Sequence, residues 1–308
     1  MDAPIDDGPA VATRIDADRG IGVTIEFLGG AGDRMIGFRH APVTPARAGM
    51  VLCSSIHAEM MSNYRKEVLL ASRLAERGIA VQRFHYRGTG NSEGSEDQVT
   101  LDAMQDDARI WAEQLKRETG VKEMGFFGMR FGALVAGGAA AGFPGAPVAL
   151  WQPVLDPMQY FREIFRARRM RELKAGRQPT TTSVTDELAE TGMVDVLGYS
   201  VQRTFYDSTT GRFLADELGP SPRRLLLVQI ERSPELTSSH QTAIEGWRRD
   251  GLEVDTQIVV HEPAWWFVGE DWKAEEVREE TTLLVETTVA WASAPAGRAE
   301  AVRADGAT

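Results

Sequence analysis

The chain alternates between two kinds of apolar pattern. Short continuous apolar runs, such as 49–55 and 147–153, are typical of strands buried on both faces of a sheet. Longer segments carry apolar residues at helical spacing, as between Ser62, a suitable N-cap, and Gly78, a suitable C-cap. Strands that alternate with helices predict an α/β protein with a mostly parallel sheet and helices on both of its faces.

Eight apolar runs are predicted to be strands, and a glycine-rich turn joins the first two as a hairpin. The runs are residues 22–28, 34–40, 49–55, 79–86, 124–127, 147–153, 223–231 and 253–261. The sequence therefore predicts an eight-stranded sheet.

The regular order of strands and helices is interrupted once. It stops after Asp156 and resumes at 223, which predicts a core of residues 21–156 and 223–292 with a helical cap insertion at 157–222. The polar, Asp-rich and Gly-rich residues 1–20 are expected to form a flexible N-terminal arm, and residues 293–308 a disordered tail.

Composition narrows the class of protein. The 308 residues carry a net charge of −11, which argues against nucleic-acid binding because that binding depends on neutralising phosphates. The N-terminus has no signal-peptide pattern, and the longest apolar run, 132–151, is interrupted by prolines, so no membrane segment is expected. Cys53 is the only cysteine, which fits a reducing compartment and predicts a cytoplasmic protein. The five histidines are scattered, so neither a metal nor another cofactor is expected.

Residues 125–133, GFFGMRFGA, look like a tight strand-to-helix turn. The nucleophile elbow Gly-x-Ser-x-Gly has this setting, and a strained turn there presents a serine at the end of a sheet. Gly128 and Gly132 occupy the two glycine positions, but Arg130 occupies the central one. Arginine stays protonated and cannot act as a nucleophile.

Two turns in the right order give the chain a family resemblance. Residues 84–94, FHYRGTGNSEG, are similar to the turn after strand 4 of the α/β-hydrolase superfamily, and 125–133 fall at its elbow. The resemblance covers about residues 20–292 and implies the α/β-hydrolase fold. More narrowly, residues 56–67 and 150–170 are similar to the exosortase A system-associated hydrolases of type 2, close to the serine aminopeptidase-like hydrolases. That subgroup, as the resemblance implies, also carries Gly-x-Arg-x-Gly and a Glu after strand 3.

The other two triad positions of this superfamily are also altered. The acid usually follows strand 7, where Glu231 is found, and the histidine usually follows strand 8. His261 is expected to lie on that strand, and Trp265 or Trp266 occupies the loop position. We therefore expect no Ser-His-Asp triad.

Arg130 and Glu59 are the central candidates, and each has two interpretations. Arg130 could bind a carboxylate or stabilise an oxyanion, or it could replace the nucleophile with a salt bridge. Glu59 follows the third predicted strand and is expected close to Arg130, as a general base or as the partner in a structural ion pair. Glu231 is the alternative base. The candidate substrate-binding residues are Ser55, His57, Met129, Phe131, Gln152, Trp265 and Trp266.

These positions predict an atypical α/β-hydrolase-fold enzyme of bacterial biosynthesis. It would process an acyl, peptidyl or other carboxyl-containing metabolite without a serine nucleophile, by hydrolysis or by isomerase-type or lyase-type chemistry. The alternative is a catalytically inactive binding or scaffold protein. A third interpretation, a hydrolase that uses Cys53 with His57, ranks last because a cysteine on a buried strand usually behaves as a small apolar residue.

Residues 160–177 form a basic segment in an acidic protein. Seven arginine or lysine residues stand there beside two glutamates, Glu163 and Glu172. Arg162, Arg166 and Arg169 recur at helical spacing and can share one face. The segment is either a solvated helix paired with the acidic body or a docking face for an anionic partner such as an acyl carrier protein.

Overall fold

The computed structural model describes residues 12–176, 182–219, 224–262 and 277–294. The strands are β1 (Ala12–Asp16), β2 (Ile21–Leu28), β3 (Met35–Pro42), β4 (Ala48–Cys53), β5 (Ile79–Phe84), β6 (Met124–Met129), β7 (Val148–Trp151), β8 (Met193–Val196), β9 (Tyr199–Gln202), β10 (Arg224–Glu231) and β11 (Glu253–Val260). The helices are α1 (His57–Glu76), α2 (Leu101–Thr119), α3 (Gly132–Ala140), α4 (Pro157–Lys174), α5 (Val184–Thr191), α6 (Arg203–Thr209), α7 (Leu214–Leu218), α8 (Ser238–Arg249) and α9 (Glu279–Ser293). A short 3₁₀ helix spans Glu96–Gln98.

One large sheet organises the fold, in the order β1-β2-β3-β5-β4-β6-β7-β10-β11. Strands β1, β2 and β3 pair antiparallel, and β3 pairs antiparallel with β5. The remaining neighbours in this order, β5-β4-β6-β7-β10-β11, all pair parallel. The predicted α/β class with a mostly parallel sheet is confirmed. The described sheet has nine strands rather than eight, because β1 pairs with β2 inside the segment expected to be a flexible arm.

The central strands of the sheet are buried on both faces, as their continuous apolar runs predict. Successive residues of a strand point to opposite faces, so Phe126 and Phe127 on β6 enter two different apolar clusters. The first cluster contains Trp111 of α2 and most of α3. The second contains Leu74 of α1 and Leu284 of α9, so helices cover both faces.

The cap segment lies between β7 and β10. It contains α4 to α7 and the hairpin β8–β9, which forms a separate two-stranded sheet. Asp156 caps α4 by accepting a hydrogen bond from the Met158 N–H, and Pro157 occupies the first turn, where its missing N–H costs nothing. The alternation of strands and helices stops at this point because four described helices and a hairpin, rather than one helix, separate β7 from β10.

One helix boundary differs from the prediction in a way that matters for the site. Helix α1 starts at His57 rather than after Ser62, so Glu59 lies in its first turn. Helix α2 begins after Thr100, whose side chain accepts a hydrogen bond from the Ala103 N–H. Within the described ranges no helix is both long enough and apolar enough to span a membrane.

Candidate functional site

The elbow keeps its backbone geometry although it carries an arginine. Arg130 follows β6 with a φ of +52°, in the left-handed region that is rare for residues other than glycine. A Cβ on Gly128 would lie 2.6 Å from the Ala133 Cα, and a Cβ on Gly132 would overlap the carbonyl oxygen of Cys53. Both glycines are therefore required by close packing of the turn, whichever residue stands between them.

Two further strand ends carry the same kind of backbone strain. His57 just beyond β4 has a φ of +52° and Gln152 directly after β7 a φ of +40°. Together with Arg130 they mark the carboxyl ends of three adjacent strands, β4, β6 and β7. Each such conformation costs on the order of 1–3 kcal/mol and clusters at functional sites. This edge of the sheet is the candidate site.

The Arg130 guanidinium is held by two carboxylates. Its Nε donates to Glu59 Oε1 at 3.1 Å, and a terminal nitrogen donates to Glu163 Oε2 at 3.0 Å. The side chains of Arg130 and Glu59 are 8% and 1% exposed, whereas Glu163 is 35% exposed. Burial opposes the charge of Arg130, but the two carboxylates outweigh it and raise the pKa of the guanidinium.

Glu59 is enclosed by protein. Burial raises the pKa of its carboxyl group, and the adjacent Arg130 charge counteracts only part of that rise. Its Oε2 atom has no hydrogen-bond partner among the described residues. Glu59 borders a void of about 10 Å³, shared with His57 and Tyr160, which has room for about one water molecule.

His57 separates this ion pair from a larger pocket. Its Nδ1 lies 3.1 Å from the Tyr160 hydroxyl, and its ring meets Phe205 edge-on. Burial lowers the pKa of His57 to about 4, so the imidazole is neutral at pH 7.

The larger pocket has a volume of about 270 Å³ and lies beyond β4 and β5. Its floor comes from Ser55, His57 and Met60, and Tyr86 forms part of the wall after β5. The hairpin β8–β9 closes the other side with Gly198, Tyr199, Ser200 and Gln202. A pocket at the carboxyl ends of parallel strands, covered by an insertion, is a common ligand site in α/β proteins.

The loop after β4 is fixed by a buried carboxylate. The Ser54 hydroxyl donates to Glu67 Oε2 at 2.7 Å, and the Ser55 backbone N–H also hydrogen-bonds to Glu67. The Ser55 Oγ is buried against the pocket and has no partner among the described residues. A buried hydroxyl left unpaired costs about 1–3 kcal/mol. Cys53 is fully buried, and burial raises the pKa of its thiol, which disfavours a nucleophilic thiolate.

The remaining candidates have structural contacts. Met129 and Phe131 are fully buried, and Phe131 packs against the aromatic rings of Tyr160 and Phe205. Gln152 Oε1 accepts a hydrogen bond from the Ile230 N–H at 2.8 Å.

Glu231 ends β10 and accepts a hydrogen bond from the Arg232 N–H. The contacts of the described ranges do not join it to Glu59, to Arg130 or to the pocket. Trp265 and Trp266 lie outside the described residues.

The structure thus brings together Arg130 with Glu59, and Ser55 with His57. Glu163, Tyr160 and Phe205, all from the cap segment, were not among the sequence candidates. The Tyr160 and Glu163 pair at i and i+3 on α4 indicates a shared helix face, but nothing in the sequence shows that this face meets the elbow. Within the described part of the chain, no group of three or more potential metal ligands occurs.

The exposed face of α4 combines positive charge with apolar side chains. Arg168 is occupied by Glu172 and Glu187. Arg166 and Lys174 are exposed and form no ion pair with a described residue. Met170 and Leu173, each 49% exposed, lie on the same face.

Comparison with known proteins agrees with this fold. No family model matches the sequence, and no curated protein matches it. Among solved structures, Est1E from Butyrivibrio proteoclasticus is 12% identical with a TM-score of 0.58, covering 87% of this chain and 97% of that chain. Alpha/beta hydrolase domain-containing protein 10 from mouse is 14% identical with a TM-score of 0.56, covering 87% and 98%. The chain therefore has the α/β-hydrolase fold.

Proposed function

We propose that this chain is an α/β-hydrolase-fold protein with a degenerate triad that binds a small molecule beneath the β8–β9 hairpin. One observation carries the proposal. The central elbow residue is an arginine, and its guanidinium is buried between the carboxylates of Glu59 and Glu163. A cation held in this way neither attacks a carbonyl nor remains free to bind a substrate carboxylate.

The loop after β4 supports the same proposal. In acyl-transfer enzymes of this fold that loop supplies an amide to the oxyanion hole. Here the Ser55 N–H is already engaged by Glu67, and the Ser54 hydroxyl is engaged by the same carboxylate. Cys53 is buried, so its thiol is not available as a substitute nucleophile. A free cysteine is also compatible with the proposed cytoplasmic location.

A second candidate is an atypical enzyme of bacterial biosynthesis, and the strained backbone at three strand ends favours it. His57 and Ser55 line the pocket and could act on an acyl, peptidyl or other carboxyl-containing metabolite, hydrolytically or otherwise. In this case Glu59, which Arg130 holds in place, would face His57 across the small void that they share. The resemblance to exosortase A system-associated hydrolases is compatible with either candidate.

The two candidates are distinguished by covalent labelling and turnover. We expect no fluorophosphonate labelling and no hydrolysis of para-nitrophenyl acetate by the wild type. Stoichiometric labelling of Ser55, or turnover that Ser55→Ala abolishes, would support the enzyme and contradict the binding protein.

Two matched variants test where a ligand binds. Met60 lines the pocket, whereas its neighbour Met61 is 58% exposed and does not. Small molecules that raise the melting temperature of wild type should also stabilise Met61→Trp but not Met60→Trp, in which the larger side chain fills the pocket. Equal stabilisation of both variants would contradict binding at this pocket.

The basic face of α4 supports a further proposal about partners. An acidic protein such as an acyl carrier protein would match the charges of Arg166 and Lys174 and cover Met170 and Leu173. This contact is independent of the chemistry in the pocket.

A further inference from the structure

We infer that the pocket takes an uncharged ligand with an aromatic or aliphatic body, whose hydroxyl, carbonyl or amide group hydrogen-bonds to Ser55 and His57. The inference rests on the proposed binding function and specifies the chemistry of the ligand. It excludes carboxylates, which the sequence analysis favoured, and other anions such as phosphates.

The charges around the pocket carry the first step. Sixteen described residues line it, and Glu96 is the only one of them with a charged side chain. Glu96 is exposed on the 3₁₀ helix, whereas the interior wall contains no arginine or lysine. An anionic ligand would lose its hydration without gaining a cationic partner.

The neighbouring cation does not change this conclusion. Arg130 is occupied by Glu59 and Glu163 and does not line the pocket. His57 cannot supply a positive charge at pH 7, because burial lowers its pKa to about 4. Apart from the exposed Glu96, the polar side chains among the described lining residues are therefore neutral.

The second step comes from an unpaired hydroxyl. Ser55 is fully buried and lines the pocket, yet its Oγ has no hydrogen-bond partner among the described residues. The described contacts of His57 occupy Nδ1 alone, through Tyr160. A hydroxyl and a neutral imidazole can each donate or accept, which suits a neutral polar group on the ligand.

The third step concerns the body of the ligand. Ile56, Met60, Val99, Met104 and Phe205 give the wall a largely apolar surface. The volume of about 270 Å³ exceeds the roughly 150 Å³ of a cavity that holds benzene and falls just below the range of about 300–1,000 Å³ for drug-sized ligands. One ring with short substituents, or a short alkyl chain, fits this space.

The test uses pairs of equal shape and different charge. Calorimetry at pH 7.5 measures the binding of each ligand to wild type. The ligands are aryl and short alkyl carboxylates, including para-hydroxycinnamate, and the primary amide of the same shape for each carboxylate. We expect amides to bind at least about tenfold more tightly than the matching carboxylates. Ser55→Ala should weaken the amides roughly fivefold or more, and Met60→Trp should abolish binding that Met61→Trp retains.

A charge-introducing variant completes the test. Gln202 lines the pocket on the hairpin, so Gln202→Arg places a cation at the wall and should shift the preference toward carboxylates at least about tenfold. A carboxylate that binds wild type as tightly as its amide, and that Met60→Trp removes, would overturn the inference while leaving the binding function intact. Absence of any Met60-sensitive binding across both sets would overturn the proposed function as well.

Discussion

Replacing Arg130 by methionine tests whether the elbow cation is part of the fold. Arg130→Met keeps much of the aliphatic volume of the side chain and removes its charge. It leaves Glu59, 1% exposed, without its only described ion-pair partner, and one of its oxygens is already unpaired. Glu163 is 35% exposed and can turn to water, so the cost comes mainly from Glu59.

The expected loss is about 3–5 kcal/mol of unfolding free energy at pH 7, the usual result of removing one partner of a buried ion pair. Glu163→Gln removes only the ion pair between Arg130 and the partly exposed Glu163, and should lower the free energy of unfolding by about 1 kcal/mol or less. The double variant Glu59→Gln/Arg130→Met leaves no fully buried unpaired charge, since Glu163 is partly exposed, and should recover at least about 2 kcal/mol relative to Arg130→Met.

Lower pH should partly rescue Arg130→Met. Burial raises the pKa of Glu59, and the variant lacks the cation that opposes this rise. A carboxyl with a raised pKa in the folded state favours folding when protonated, so its contribution is present at low pH and is lost as pH rises through the folded pKa. The deficit of Arg130→Met relative to wild type should therefore shrink from pH 8 to pH 5.

Urea unfolding followed by circular dichroism measures all four proteins. A loss below about 1 kcal/mol for Arg130→Met, or equal stability of Arg130→Met and the double variant, would refute the structural interpretation. Full stability of Arg130→Met combined with loss of ligand binding would instead assign Arg130 to the functional site.

Three further predictions address the elbow, the response to acid and the cap. Gly132→Ala should destabilise the protein by more than about 2 kcal/mol or prevent soluble expression. Gly142→Ala is the control and should change stability by about 0.5 kcal/mol or less, because its Cβ would lie at an ordinary contact distance of 3.5 Å from the Ala139 carbonyl oxygen. Burial and the charge of Arg83 lower the pKa of His40 from 6.5 to about 3. The neutral imidazole therefore stabilises the fold above pH 6.5, and about 2 kcal/mol of the free energy of unfolding should be lost by pH 5. His40→Gln should reduce that pH slope in urea unfolding, and an unchanged slope would contradict the assignment. Binding of acyl carrier protein to wild type should weaken steeply between low and moderate salt, and the variant Arg166→Glu/Lys174→Glu should not bind it. Equal binding by wild type and the variant would show that this face of α4 is not a docking site.

The sequence was most informative where local pattern and close packing act together. Continuous apolar runs identified the buried strands, and the spacing of Gly128 and Gly132 identified the elbow, because close backbone contacts there exclude any side chain. The pairing of Glu59 with Arg130 was also predicted, since loops at neighbouring strand ends converge, and the two side chains are 3.1 Å apart. The catalytic role of either residue stays a prediction.

Contacts made by the cap were not predictable in the same way. Glu163 and Tyr160 reach the elbow because α4 packs over it, and that packing depends on how an irregular insertion folds back on the core. Strand β1 was missed because its residues are mostly exposed and carry no continuous apolar pattern. The cap contacts join residues far apart in sequence, whereas β1 pairs with the neighbouring β2 and has only its exposed, irregular pattern to mark it.

The hairpin β8–β9 contacts the pocket with some of its residues and the core with others. It forms its own two-stranded sheet, in which Val194, Val196 and Val201 belong to the first apolar cluster, whereas the pocket is lined by Gly198, Tyr199, Ser200 and Gln202. Substitutions confined to the four pocket-lining positions would alter the shape and polarity of the wall and leave the three valines in the core. Ligand choice can therefore change at these positions, in evolution or by engineering, without loss of the apolar contacts that hold the hairpin in place.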